Sequence, residues 1–157
     1  MSYSSPPADL AALAWTSAPR LRWLERLVIV LAGSVLLGLL ITAARLTPSP
    51  RGMGTHQQLG LPPCTIVALY GIPCPSCGMT TAWAHLLRGH VVAAVRSNAG
   101  GAMLAVLAAM CGPWLVGSGL AGRWLIGPPR EGVTLAVGLA IVVLTLMQWA
   151  LHLSLGW

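Results

Sequence analysis

The chain contains no lysine and no phenylalanine, and only three of its 157 residues are acidic. Charged residues of all kinds make up 8% of it. A soluble domain carries about 25% charged residues, because water must solvate its surface. With so little charge, much of this surface must face something other than water. The three acids, Asp9, Glu25 and Glu131, lie far apart along the chain. They leave no neighbouring carboxylates for general acid–base hydrolysis. No Gly-rich motif that would cradle a phosphate is present. The nine basic residues are all arginine and are scattered singly. The net charge of +6 therefore builds no basic run, and nucleic acid is not an expected partner.

What the chain has instead is apolar length. Hydrophobic residues make up 56% of it and the mean hydropathy is +0.77. Leu27 to Ala44 gives 18 residues without a charge, which as a helix spans about 27 Å against a hydrocarbon core of roughly 30 Å. Ala99 to Ala121 and Val133 to Leu155 are uncharged runs of 23 residues each. The first run is too long and starts too late for a cleaved signal peptide, and an uncleaved signal-anchor helix is expected. The expected fold class is all-α, an integral membrane protein with three transmembrane helices and a cysteine-bearing amphipathic loop and helix between the first and second. The length predicts one domain. Its parts are a flexible tail over 1–23, spans over 24–44, 99–121 and 133–155, a cysteine-motif loop over 45–98, and a short loop over 122–132. With no charge inside any span, ion-coupled transport by this chain alone is not expected.

Arginines flank the spans, where they contact head groups and set topology. The cluster Arg20, Arg22 and Arg26 ahead of the first span predicts a cytoplasmic N-terminus in the cell (inner or plasma) membrane. The 45–98 loop then lies outside the cytoplasm. Trp23, Trp124, Trp149 and Trp157 read as an interfacial belt. Gly100, Gly101, Gly112 and Gly117 would let a neighbouring helix approach closely. Besides the lipid bilayer, the expected partners are another membrane protein or a second copy, through such Gly-rich faces.

The chemistry-bearing residues are Cys64, Cys74 and Cys77, spaced C-x9-C-x2-C and followed by Gly78. Three readings stay open. The first is a metal site of zinc type, needing a fourth ligand from His56, His85, His90 or His152. Cys111 is a poor candidate, about 18 Å deep in the second span. The second is thiol–disulfide chemistry. A helix starting at Met79 puts Cys74 and Cys77 near its N-terminus, where a thiolate is stabilised, with Cys64 as the partner thiol. The third is a structural disulfide from Cys64 to Cys74 or Cys77. Met79 to Arg88 reads as an amphipathic helix with Met79, Trp83, Leu86 and Leu87 on its apolar side and Thr80, Thr81, His85 and Arg88 opposite. It is expected to lie on the membrane or against the end of the bundle. Thr145, Gln148 and His152 share one face near the end of the third span, where they would reach the head groups.

From Cys64 to about Asn98 the chain resembles domain of unknown function family 2752, found in bacterial membrane proteins. The matching residues are Cys64, Gly71, Cys74, Pro75, Cys77, Gly78, Thr80, Ala82, Leu86, Leu87, Gly89 and Asn98. Thr81, His90 and Ala99 stand where the family carries Arg, Asp and Pro, so no role of those three carries over. The resemblance implies a membrane protein with a cysteine motif and supplies no activity. The expected function is an accessory protein whose loop, held by a metal or a disulfide, docks a partner. The alternative is a membrane thiol–disulfide oxidoreductase using Cys74 and Cys77 with Cys64.

Overall fold

A computed structural model describes residues 20–155, so the expectations placed on residues 1–19 and on Trp157 fall outside the described residues. The elements in chain order are α1 (Trp23–Arg45), a 3-10 turn (Thr55–Leu59), α2 (Thr65–Tyr70), α3 (Met79–Leu86), α4 (Val91–Ser97), α5 (Ala99–Ala121) and α6 (Glu131–Ser154). Among the described residues every regular element is a helix. Helices α1, α5 and α6, of 23, 23 and 24 residues, are long and apolar enough to cross a membrane. At 1.5 Å per residue each is roughly 35 Å long, a full bilayer core with a margin at both ends.

Helices α1 and α5 form an antiparallel pair whose seam is cut from glycine. A Cβ on Gly33 would stand 2.8 Å from the Gly112 carbonyl oxygen. One on Gly119 would stand 2.5 Å from Val30 Cγ2, and one on Gly112 would stand 3.0 Å from Leu37. Without a hydrophobic effect between helices in lipid, close backbone approach and dispersion supply the attraction. The glycines of α5 expected to admit a neighbour do so within the chain: Gly100 receives Thr145 of α6 and Gly101 receives Met79 of α3. At the far end Arg26 donates from Nε to the Gly119 carbonyl at 3.0 Å and from Nη2 to that of Leu120 at 3.1 Å. A cation thereby meets carbonyls of the last turn and the negative dipole end of α5.

Helices α3 and α4 form a hairpin packed against α5. Met79 sits at Gly101, and Trp83 and Leu86 pack on Leu40, Ala105 and Ala108. Helix α4 then returns, with Ala94 against Ala82 and Ala102. The fully buried side of α3 is Thr81, Ala82 and Ala84, while Met79, Trp83 and Leu86 are half-buried and Leu87 is exposed. Met79–Leu86 is the amphipathic helix expected between the first two spans, and its bulkier apolar stripe is the less buried part. Small side chains let three backbones converge, and that close approach outweighs burial of the bulkier stripe.

Helix α6 buries only Ile141 along its length. Its hold on the rest is polar and concentrated near its C-terminal end, at the cysteine loop.

Candidate metal centre

Two short segments deliver the three cysteines. Residues 74–77 form a four-residue turn closed by the Cys77 N–H to the Cys74 carbonyl at 3.0 Å. Pro75 occupies its second position, where a fixed φ suits the turn. Gly78 follows with φ +86°, a left-handed conformation, and its missing side chain is essential to the site. A Cβ there would meet the carbonyl oxygens of Ser97 at 2.5 Å and Gly52 at 2.7 Å. The second segment is Pro62–Pro63–Cys64, which enters α2. Cys64 immediately precedes that helix, and Gly71, at φ +70°, ends it.

The fold brings the sulfurs of Cys64, Cys74 and Cys77 together, all within 4.8 Å of one another. The thiols are free and half-buried. Cys74 and Cys77 approach to 3.1 Å between sulfurs, well beyond the disulfide length of about 2.05 Å. Sulfurs held about 2.3 Å from a tetrahedral zinc stand about 3.8 Å apart, so the observed spread suits three ligands of one ion. The Cys74 N–H donates to Cys77 Sγ at 3.2 Å, and Ser76 Oγ lies 3.2 Å from Cys74 Sγ.

The thiols are not equivalent. The Val67 N–H in the first turn of α2 holds Cys64 down to about 7, against the opposing effect of burial. Cys74, the Ile66 N–H and Cys77 add smaller contributions in the same direction. Burial, then the neighbouring Cys74, pushes Cys77 up to about 12. The sequence expectation that a helix beginning at Met79 would acidify the C-x2-C thiols thus picks the wrong segment for Cys77. Its sulfur lies ahead of α3 but is sheltered, while Cys64 takes the free N–H groups of α2.

The histidines divide in space. His56, in the 3-10 turn, lines a cavity of about 290 Å³ together with all three cysteines. His152 lines a separate, smaller cavity of about 30 Å³, with Cys74 and Cys77 but without Cys64. His85 and His90 face each other with ring centroids 5.8 Å apart, at the other end of α3. Burial, then His90 and Arg88, lowers the pKa of His85. Among the described residues, no histidine ring nitrogen joins the three-sulfur group itself.

The supports of the site come from residues whose role spacing could not reveal. Asn98, 4% exposed, caps α5 by accepting from the Gly101 N–H at 2.7 Å. Its amide nitrogen donates to the carbonyls of Pro75 at 3.0 Å and Cys77 at 3.2 Å. Gln148 of α6 accepts from the Ala99 N–H at 2.5 Å and donates to the carbonyls of Val95 at 2.8 Å and Arg96 at 3.2 Å. Trp149 Nε1 donates to the Pro73 carbonyl at 2.7 Å. Gln148 therefore joins helices instead of reaching for head groups. Thr145 turns inward too, donating to the Ile141 carbonyl at 2.7 Å. Thr81 is wholly buried, its hydroxyl 2.8 Å from that of Thr55, which also accepts from the Ser49 N–H at 3.0 Å.

Residues 64–112 match the model of a family described as a protein of unknown function (DUF2752). The match takes in the cysteines, the hairpin and the first half of α5, and over those residues the chain is similar to that family. No curated protein and no solved structure matches the chain.

Proposed function

We propose that this chain is a membrane-embedded accessory protein whose loop 45–98 is locked by a thiolate-bound cation, zinc in the first instance. The carrying observation is the convergence of three free sulfurs from two separate segments within 4.8 Å. Thiolates favour zinc and other soft or borderline cations. In this reading the ion is structural. It joins the segment entering α2 to the turn that launches the hairpin, and the platform so fixed docks a second membrane protein. Val91, Val92 and Val95 on α4 expose apolar side chains beside Arg88, which suits such a partner. The arginine cluster at the start of α1 favours a cytoplasmic N-terminus, which puts the platform on the opposite side of the membrane.

The test is intact-mass and metal analysis of detergent-purified protein, with and without reductant. One zinc per chain and three alkylatable loop thiols after chelation are expected. Cys74→Ser should lose the metal, and folding and partner capture should fall together. Metal-free protein carrying a Cys74–Cys77 or Cys64 disulfide would overturn the reading. The 3.1 Å approach of Cys74 and Cys77 favours one alternative, a thiol–disulfide oxidoreductase. Its two thiols would close to a disulfide while passing two electrons and two protons to a partner's disulfide. That alternative requires turnover of a dithiol or disulfide substrate that stops in Cys77→Ser, whereas the structural reading requires none.

A further inference from the structure

Three thiolates leave a tetrahedral cation one ligand short. We infer that His56 supplies the fourth, through Nδ1, making a site of three sulfurs and one nitrogen; this rests on the cation-binding reading above. Three observations select it among the four histidines. First, His56 is the histidine that lines the same cavity as Cys64, Cys74 and Cys77 together. His152 lines a separate cavity, one that Cys64 does not line. His85 is six residues along α3 from Met79, about 9 Å away by helical rise, and pairs with His90.

Second, the chemistry of its contact with Pro62 sets the tautomer. His56 Nε2 lies 3.2 Å from the Pro62 carbonyl oxygen. A carbonyl has no proton to give, so Nε2 carries the hydrogen, and in the neutral ring Nδ1 keeps its lone pair. A ring whose second N–H is fixed by a backbone carbonyl is the usual outer arrangement of a metal-bound histidine, because it orients the ring and raises its basicity. The carbonyl belongs to Pro62, two residues before Cys64, so the hydrogen bond ties the ring to the segment that carries the thiol.

Third, the turn that bears His56 is anchored to the other half of the site. Gly54 and Gly60 bracket it in left-handed conformations, at φ +87° and φ +76°. Thr55, adjacent to His56, is held in place by the buried hydroxyl of Thr81 on α3. Nδ1 stands outside the 4.8 Å sulfur group, so ligation draws the ring toward the sulfurs across the shared cavity.

The experiment uses the full-length protein in detergent, with zinc affinity measured by chelator competition and the histidine ring nitrogens observed by 15N NMR. Expected is a zinc-dependent shift at Nδ1 of His56 alone. His56→Ala should lose at least about tenfold in zinc affinity, the lower end of what even outer-shell partners cost. His56→Cys should restore it. Unchanged affinity in His56→Ala overturns the inference while leaving the three-thiolate site standing. A zinc-dependent shift at His152 in place of His56 overturns it too, and hands the fourth position to α6. Wild-type protein that binds no zinc at all brings down the parent reading, a result distinguishable from either of these.

Discussion

Asn98 Nδ2 donates to the Cys77 carbonyl at 3.2 Å while Asn98 Oδ1 accepts from the Gly101 N–H at 2.7 Å. One buried amide thus ties the cysteine turn to the first turn of a membrane span. Asn98→Ala removes a helix cap and strands buried carbonyls, and should cost about 1–3 kcal/mol. Asn98→Asp keeps the acceptor for Gly101 but loses both donations, and should fall between. Denaturant unfolding in detergent, read alongside thiol labelling, orders the three proteins. An Asn98→Ala as stable as wild type would remove the tie.

Gly78 and Gly71 make a controlled pair. Both have positive φ, +86° and +70°, so alanine at either should cost about 1–2 kcal/mol in backbone strain. Only at Gly78 would the new Cβ also collide with two carbonyl oxygens. Gly78→Ala should therefore lose metal binding and much of its folded yield, while Gly71→Ala should retain both. Equal losses at the two sites would show that conformation alone, and not the crowding by Gly52 and Ser97, makes Gly78 necessary.

The α1–α5 seam gives a second controlled pair. Gly33→Ala drives a methyl to within 2.8 Å of the Gly112 carbonyl oxygen and should destabilise by about 1–3 kcal/mol. Gly38, on the same helix, has nothing within 4 Å. Gly38→Ala should be neutral, or stabilising by up to about 1 kcal/mol through helix propensity. Thermal unfolding in one detergent compares them directly.

Acidity should separate the thiols in the metal-free, reduced protein. Cys64, held to about 7, should alkylate with a midpoint near that pH, and Cys77, raised to about 12, should label last. Unfolding returns each toward 9.0. The depressed Cys64 adds stability that is complete above pH 9.0 and lost as pH falls through about 7. The raised Cys77 adds stability that is complete below pH 9.0 and lost as pH climbs toward 12. The thiol contribution should therefore peak near pH 9.0 and decline on both sides. Denaturant midpoints from about pH 6 to about 11, compared with those of Cys64→Ser and Cys77→Ser, isolate it. A flat difference curve would count against these assignments.

The long spans are legible in the sequence because lipid imposes an arithmetic on it: uninterrupted apolar runs of a fixed length with charges at the ends. The uncharged run Ala99–Ala121 coincides with α5. The cysteine motif is legible from its spacing, though three ligand chemistries share that spacing. Helix α3 is legible as the amphipathic run from Met79, but its packing is not, because Thr81, Ala82 and Ala84 are buried for being small. Gln148 misleads for a different reason. A polar side chain near the end of a span has the same pattern whether it seeks water or a carbonyl, and its partners at Val95, Arg96 and Ala99 are remote in sequence. His56 stands among the candidate ligands by residue type, but the cavity it shares with the cysteines and the Pro62 carbonyl at its Nε2 are not readable from the sequence.

The anchoring of α6 is uneven. From Glu131 to Ala140 this helix buries no side chain, while Thr145, Gln148 and Trp149 pin its other end to α5, α4 and Pro73, the residue preceding Cys74. A rod fixed at one end acts as a lever, and a span answers a thinner or thicker bilayer by changing its tilt. Any tilt of α6 would have to carry or break the Trp149 hydrogen bond to the peptide next to the first thiol of the turn.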